Sequence, residues 1–372
     1  MTEIRQFLVF LLVAGVLLGV AATVSYIEES GLSDGNAYEE GVAGLLLSGN
    51  NVGNIKNYDE RLLQKILIQN DHRQVDEIVL GSSRSYQIHN CTCMSRINPD
   101  KIFLNHAVSL ATLEDDIAIL ELYAEKDRLP RTVIIGADPW ILNANNDQTK
   151  WKTLEPEYRQ GLARIGAPPV LSERDFENIL SDINRITVFL SRDVLAKSLY
   201  QLTRNQTTYY VTDREELDVT VKNKDGSISY AEEMRNNTAD KIDASARAYA
   251  NTVPIFGLGR FTLIDEGSRE HFEAAVRYLQ SRNVTVILFL APYHPIVYET
   301  IGTDPRYVNV NAVESYFKEF AATENIPVVG SYDPSRFNLT SRDFIDGAHP
   351  RREVVDSLFA RITSVKTNRT GG

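Results

Sequence analysis

Asp346 and His349 stand three residues apart in "FIDGAHPRREVVDSLFARI" (residues 344–362), a spacing that lets a carboxylate hold an imidazole in one tautomer and one orientation. Pro350 pushes His349 out of the helical region and opens a helix with Val354, Val355, Leu358, Phe359 and Ile362 inward, so both side chains fall on one loop at a helix start. Of the six histidines, at 72, 89, 106, 271, 294 and 349, only His349 has an acid so placed. An imidazole held this way serves a hydroxyl as general base. Hydroxyls stand in "EIVLGSSRSYQ" (residues 77–87), where an apolar run ending at Leu80 breaks into Gly81, Ser82, Ser83, Arg84 and Ser85. A serine on a strand-to-helix turn exposes its hydroxyl and carries an N–H able to stabilise an oxyanion; a serine in that place also works as a plain helix cap. A third polar loop is Gly136-Ala137-Asp138-Pro139-Trp140, in which Asp138 is most simply a turn former before proline.

These loops need a scaffold that brings them to one edge. Strand-like runs "DEIVLG", "DKIFLNHA", "TVIIGADPW", "VTVILFLAPYHP" and "IPVVG" alternate with helical stretches such as "LEDDIAILELYAEK" and "GSREHFEAAVRYLQSRN". Nearly continuous β-branched runs between amphipathic helices predict an α/β fold, a doubly wound parallel sheet with helices on both faces. In such a sheet ligands sit beyond the carboxyl ends of the strands, where all three polar loops fall. The alternation breaks between about 150 and 260, a stretch that reads as a large, mostly helical insertion or cap with a turn at "KNKDGSISY". Ahead of the sheet, "YDERLLQKILIQN" places Leu62, Leu63, Ile66 and Ile68 at helical spacing, after a Gly- and Asn-rich stalk.

The chain has 372 residues, 43% of them apolar, enough for a packed core. Its formal charge of -11, without any basic block, argues against nucleic acid as a partner. Residues 7–26, "FLVFLLVAGVLLGVAATVSY", are uncharged and at helical rise span roughly 30 Å, a bilayer's hydrocarbon core. The run exceeds a signal peptide's apolar region, and its best small-residue cleavage site, around Gly19 to Ala22, lies inside it. It reads as a retained anchor. Arg5 precedes it and Glu28, Glu29 and Asp34 follow, which leaves the N-terminus cytoplasmic and the body outside. The two cysteines, Cys91 and Cys93, form no zinc-ligand pattern and are separated by one residue, a tight geometry for a disulfide. Asn-x-Thr triplets begin at Asn90, Asn205, Asn236, Asn283, Asn338 and Asn368, several of which chance supplies in a chain with this much Asn and Thr.

The order Gly-x-Ser early, a glycine-led block in the middle and Asp-x-x-His near the end resembles the SGNH (GDSL-type) hydrolase superfamily. With its apolar run, "GSSRS" and "DGAH", the chain is similar to that superfamily's membrane-anchored extracytoplasmic branch, around the D-alanine transfer protein of teichoic acid modification and the exopolysaccharide O-acetyltransferases. The apolar run and its flanking charges give residues 1–6 as a cytoplasmic tail, 7–26 as a transmembrane anchor and 27–74 as stalk and lead-in helix. A tail stands at 366–372 and an insertion at 151–258 has no counterpart; the resemblance covers roughly 75–145 and 260–365 and implies an SGNH-like domain in two parts, 75–150 and 259–365. It makes Ser83 the nucleophile, with His349 and Asp346 completing a triad. The Ser83 N–H and the backbone of Leu110, which stands in "NHAVSLATLED" where the family has glycine, would form the oxyanion hole. Asp138 falls where the family's oxyanion-binding asparagine stands, and an ionised carboxylate there would repel the oxyanion. Arg84, Asn105, Trp140 and His294 are implied as substrate-binding residues, and no cofactor or metal is needed. The implied activity is a serine esterase or acyltransferase acting on acyl groups of a cell-envelope polysaccharide or glycopolymer, with a polytopic membrane acyltransferase as an acyl-donating partner. A non-catalytic glycan-binding or scaffold module is the alternative.

The uncharged run predicts that full-length protein sediments with membranes and is released by detergent, not by high salt. N-terminal sequencing that finds the mature chain starting near Ala22 would overturn the anchor.

Overall fold

The computed structural model describes residues 36–90, 101–167, 208–252 and 261–367, together with Gly19, Ile255, Gly257 and Leu258. The apolar run at 7–26, apart from Gly19, lies outside these, as do Cys91, Cys93 and residues 168–207 of the expected insertion. Among the described residues no helix is long and apolar enough to cross a membrane. The chain divides into two compact units, Met1–Gly41 with Val170–Thr208, and Val42–Pro169 with Tyr209–Gly372. The second carries every candidate residue.

In chain order the elements are α1 (Ala37–Leu47), β1 (Asn51–Gly53), α2 (Glu60–Asn70), β2 (Glu77–Leu80), β3 (Phe103–Asn105), α3 (Leu113–Ala124), β4 (Thr132–Gly136) and α4 (Glu155–Ile165). Then come β5 (Tyr210–Thr212), β6 (Val221–Lys222), β7 (Ile228–Ser229), α5 (Glu232–Arg235), α6 (Ala239–Asn251), α7 (Glu266–Ser281), β8 (Thr285–Leu290), α8 (Pro295–Thr303), α9 (Val308–Thr323), β9 (Val328–Gly330) and α10 (Arg352–Thr367). The five strand-like runs become a five-stranded sheet of order β3-β2-β4-β8-β9, parallel throughout. Side chains alternate across it as a pleat requires. Ile78, Val133 and Leu288 pack on one face with Ile117 of α3, Phe272 of α7 and Phe317 of α9. Val79, Ile134 and Phe289 pack on the other with Val355, Leu358 and Phe359 of α10. This is an α/β fold with helices on both faces of the sheet.

A second sheet, antiparallel and ordered β5-β1-β6-β7, joins the lead-in segment to the insertion. The described part of the insertion thus holds α4, α5 and α6 together with three short strands, and its predicted turn is the β6–β7 hairpin. The hairpin tip docks on the parallel sheet, where the Asn105 N–H donates to Asp225 O at 2.7 Å. Helix α2 is tied to α3 by a buried bidentate pair, Arg61 with Asp115, both contacts 2.9 Å. Residues 42–74 are therefore built into the body, with Val42, Val52 and Leu63 fully buried.

The serine turn after β2 depends on two glycines at adjacent strand ends. Gly81 holds φ +119°, a conformation side chains rarely adopt, and a Cβ there would meet Gly136 Cα at 2.9 Å. A Cβ on Gly136 would fall 2.0 Å from Ser85 Oγ. Gly136→Ala is expected to destabilise the body by about 1–3 kcal/mol, read by urea unfolding. Adding Ser85→Ala should recover part of the loss, because Oγ is the nearest obstacle; no recovery would place the strain in the strand backbone instead.

Candidate active site

Strand β2 ends at Leu80 and the chain turns through Gly81 into a short 3-10 turn at Ser83–Ser85. Ser82 and Ser85 are buried, at 1% exposure each, while Ser83 is half-buried and open to solvent. From the far end of the chain, Asp346 and His349 arrive on the loop ahead of α10. Ser83 Oγ lies 2.9 Å from His349 Nε2, and His349 Nδ1 lies 2.9 Å from each oxygen of Asp346. The structure thus brings together three residues whose extremes are 266 positions apart. With Nδ1–H donating to the carboxylate, Nε2 is left as the acceptor for the serine proton.

The loop is shaped by its own acid. Asp346 Oδ1 also accepts from the backbone N–H groups of Ala348 at 2.8 Å and His349 at 3.0 Å. Burial pushes the Asp346 carboxyl up, but the His349 charge and these hydrogen bonds outweigh it and hold the group below its ordinary range. Because folding lowers this pKa, the group adds stability above the ordinary carboxylate range, and that contribution is lost as pH falls through the lowered value. The intervening Gly347 is pressed against α6: a Cβ there would meet Ala246 Cα at 2.9 Å. Tyr230, just after β7, sets its ring 5.7 Å from that of His349.

The β3–α3 loop lies beside the serine turn, with the Val108 N–H donating to Gly81 O at 3.0 Å. Leu110 takes φ +57°, the left-handed region that costs a non-glycine residue roughly 1–2 kcal/mol. Neither the Leu110 N–H nor the Ser83 N–H donates to any of the described residues. These two N–H groups are free to receive an oxyanion. Glu60, which no local pattern in the sequence marks, braces this loop: it accepts from Ser109 N at 2.5 Å, Ser109 Oγ at 2.6 Å and Tyr86 Oη at 2.7 Å. Burial raises the Glu60 carboxyl, yet these donors and the nearby Lys222 bring it below its ordinary range.

The other expected site residues are placed differently. Asp138 does not offer its carboxylate to an oxyanion: Oδ1 takes Arg84 Nη1 at 2.7 Å and Oδ2 takes Ser82 Oγ at 2.6 Å. Arg84, expected to bind substrate, is instead 2% exposed, its Cζ 3.7 Å from the Tyr293 ring centroid and its other nitrogen donating to Ala291 O. Burial pushes the Asp138 carboxyl up, against the pull of Arg84, Ser82 and His349, while the guanidinium keeps its proton in any protein environment. Asn105 is spent on the backbone, donating to Ser85 O at 2.9 Å and Ile88 O at 2.8 Å. Trp140 is buried and its Nε1 donates to Ala111 O at 2.9 Å, pinning the β3–α3 loop. His294 is fully buried and caps α8, accepting from the Ile296 N–H at 3.2 Å. Arg84, Asn105 and Trp140 each spend polar atoms on buried partners, whereas Arg84 Nε and His294 Nε2 are buried without a hydrogen-bond partner among the described residues.

No family model matches the chain, and no curated protein is significantly similar to it in sequence. Among solved structures it is similar to one described as a "putative acylhydrolase" from Bacteroides fragilis NCTC 9343, at 11% identity and a TM-score of 0.36, covering 84% of this chain and 99% of that one. A likeness that slight carries no argument about function.

The Arg84–Asp138 pair generates a direct test. Asp138→Asn restores the residue type expected at an oxyanion hole but leaves a buried guanidinium without its counter-charge, so a loss of about 3–5 kcal/mol in urea unfolding is expected. Combining it with Arg84→Met should return much of that stability. An Asp138→Asn variant that is fully stable and more active would mean the carboxylate faces the oxyanion after all.

Proposed function

We propose that this chain is an extracytoplasmic serine acyl-transfer enzyme, an SGNH-like esterase or acyltransferase handling acyl groups on a cell-envelope polysaccharide or glycopolymer. The observation that carries the acyl-transfer reading is the unbroken chain Asp346–His349–Ser83, with 2.9 Å at each link and the hydroxyl open to solvent. Ser83 Oγ attacks an acyl carbonyl as its proton passes to His349 Nε2, and Asp346 steadies the imidazolium. The carbonyl oxygen, now anionic, receives the Ser83 and Leu110 N–H groups. His349 returns the proton to the departing alkoxide, leaving an acyl-serine. Water then completes a hydrolysis, or a glycan hydroxyl completes a transfer.

The outward-facing location and the glycan substrate are supported by the apolar run at 7–26 and by the resemblance of "GSSRS" and "DGAH" to the anchored branch. A polytopic acyltransferase handing the acyl group across the membrane belongs to the transferase form of this reading. One observation favours a second reading, a non-catalytic glycan-binding module: Asp138 stands where an oxyanion donor is expected and leaves the hole to backbone groups alone.

A fluorophosphonate probe separates the two, since only an activated serine labels. Wild type is expected to label and Ser83→Ala to lose labelling entirely. Ser82→Ala should label more slowly but measurably, because it removes the hydroxyl held by Asp138 and not the attacking one. A wild type that never labels would overturn the acyl-transfer reading and leave the binding module. Envelope polysaccharide from cells lacking the protein, compared by mass spectrometry, then reads the acyl group.

A further inference from the structure

Composition supplies some of the Asn-x-Thr triplets but not all six. The chain holds 25 Asn, 24 Thr and 24 Ser, and contains six Asn-x-Thr triplets but no Asn-x-Ser. Random placement would give about two of each kind. All six have a residue other than proline in the middle, as an N-glycosylation acceptor requires.

The three triplets that lie wholly within described residues all put their asparagine at an exposed turn. Asn236 closes α5, its Nδ2 reaching only the surface Glu232 Oε1 at 3.3 Å. Asn283 takes φ +60° between α7 and β8, and Asn338 takes φ +56° after the 3-10 turn at Pro334–Phe337. The side-chain amides of Asn283 and Asn338 make no hydrogen bond with any described residue, and both residues are exposed. Turn chemistry accounts for part of this pattern, since asparagine tolerates a left-handed backbone and Thr238 and Thr340 start the next elements. It does not account for the absence of serine, which starts helices at least as well as threonine. An enzyme that reads the hydroxyl two residues on does distinguish them, because the branched threonine presents it in fewer rotamers.

We infer that the body is N-glycosylated at Asn236, Asn283 and Asn338. The donor class is an oligosaccharide carried on a polyprenyl diphosphate. Asparagine Nδ2 forms a bond to the sugar C1 as the bond from C1 to the diphosphate oxygen breaks, and the Nδ2 proton leaves with the lipid diphosphate. Nothing is oxidised or reduced. The inference rests on the outward-facing location proposed above, and not on the acyl-transfer reading. None of the three asparagines touches Ser83, His349 or Asp346.

The test uses full-length protein isolated from the membranes of its own cells. Intact-glycopeptide mass spectrometry is expected to find hexose-containing masses on the peptides spanning Asn236, Asn283 and Asn338. Thr285→Ala, which leaves Asn283 in place, should abolish modification there, whereas Thr285→Ser should retain some of it. Surface protease treatment of intact cells reports the location separately. Bare asparagines at all three positions in a body that protease reaches from outside would overturn the inference and leave the location standing. A body still shielded from protease once any outer membrane has been removed would overturn both.

Discussion

One buried charge organises the carboxyl edge of the parallel sheet. The Arg84 guanidinium is enclosed by Tyr293, with Trp140 and Tyr332 further out, and its bonds reach the loops after β4 and β8. A cation so placed has to be paired, and Asp138 supplies the pair from the neighbouring strand end. Ser82 donates to the same carboxylate, so the residues on both sides of Ser83 are held inward by one acid. Ser83 is left as the serine of that turn that reaches solvent. An ion pair of this kind is poor evidence of stability, since well-packed apolar side chains often do as well. Its effect here is orientation: three loops close around a single point charge, and the hydroxyl is aimed as a by-product of satisfying it.

The histidine is held by a different part of the chain. Its loop is pressed on one side by α6 through the missing Cβ of Gly347, and on the other by the Tyr230 ring. Arg352 adds a contact to Ser229 at the end of β7, 3.0 Å from Nη2 to Oγ. All of these partners belong to the insertion. The insertion is therefore a structural part of the site, because it fixes one of the two loops that must meet. The serine side is fixed by the sheet, α10 after the histidine loop packs on that same sheet through Val355, Leu358 and Phe359, and the β6–β7 hairpin docks on β3 through Asn105 and Asp225.

The β3–α3 loop beside the serine turn carries a strained residue of its own. A leucine stands where a glycine would ease the turn, and the backbone keeps its left-handed shape regardless. Glu60 pins the adjacent Ser109 by both its N–H and its hydroxyl, which offsets the strain at Leu110 by holding the loop from outside. The N–H groups of Ser83 and Leu110 then remain as donors on a rigid frame, and Asp138 is turned away to a partner that needs it.

What the sequence by itself determined was whatever depends on near neighbours. Nearly continuous β-branched runs between amphipathic stretches specify strands and helices locally, and all five runs joined the parallel sheet. The three-residue spacing of Asp346 and His349, with proline behind them, is likewise local, so their pairing was legible before any fold was known. The resemblance already pointed to Ser83, and only the tertiary structure supplies the physical reason, because Ser82 is held by Asp138, 56 residues away. The same holds for the burial of Arg84, Asn105, Trp140 and His294, which no local pattern shows. Glu60, Tyr230 and the strands of the insertion carried no local signal at all. A polar side chain's role follows from which groups it must satisfy once water is excluded, and those groups come from distant parts of the chain.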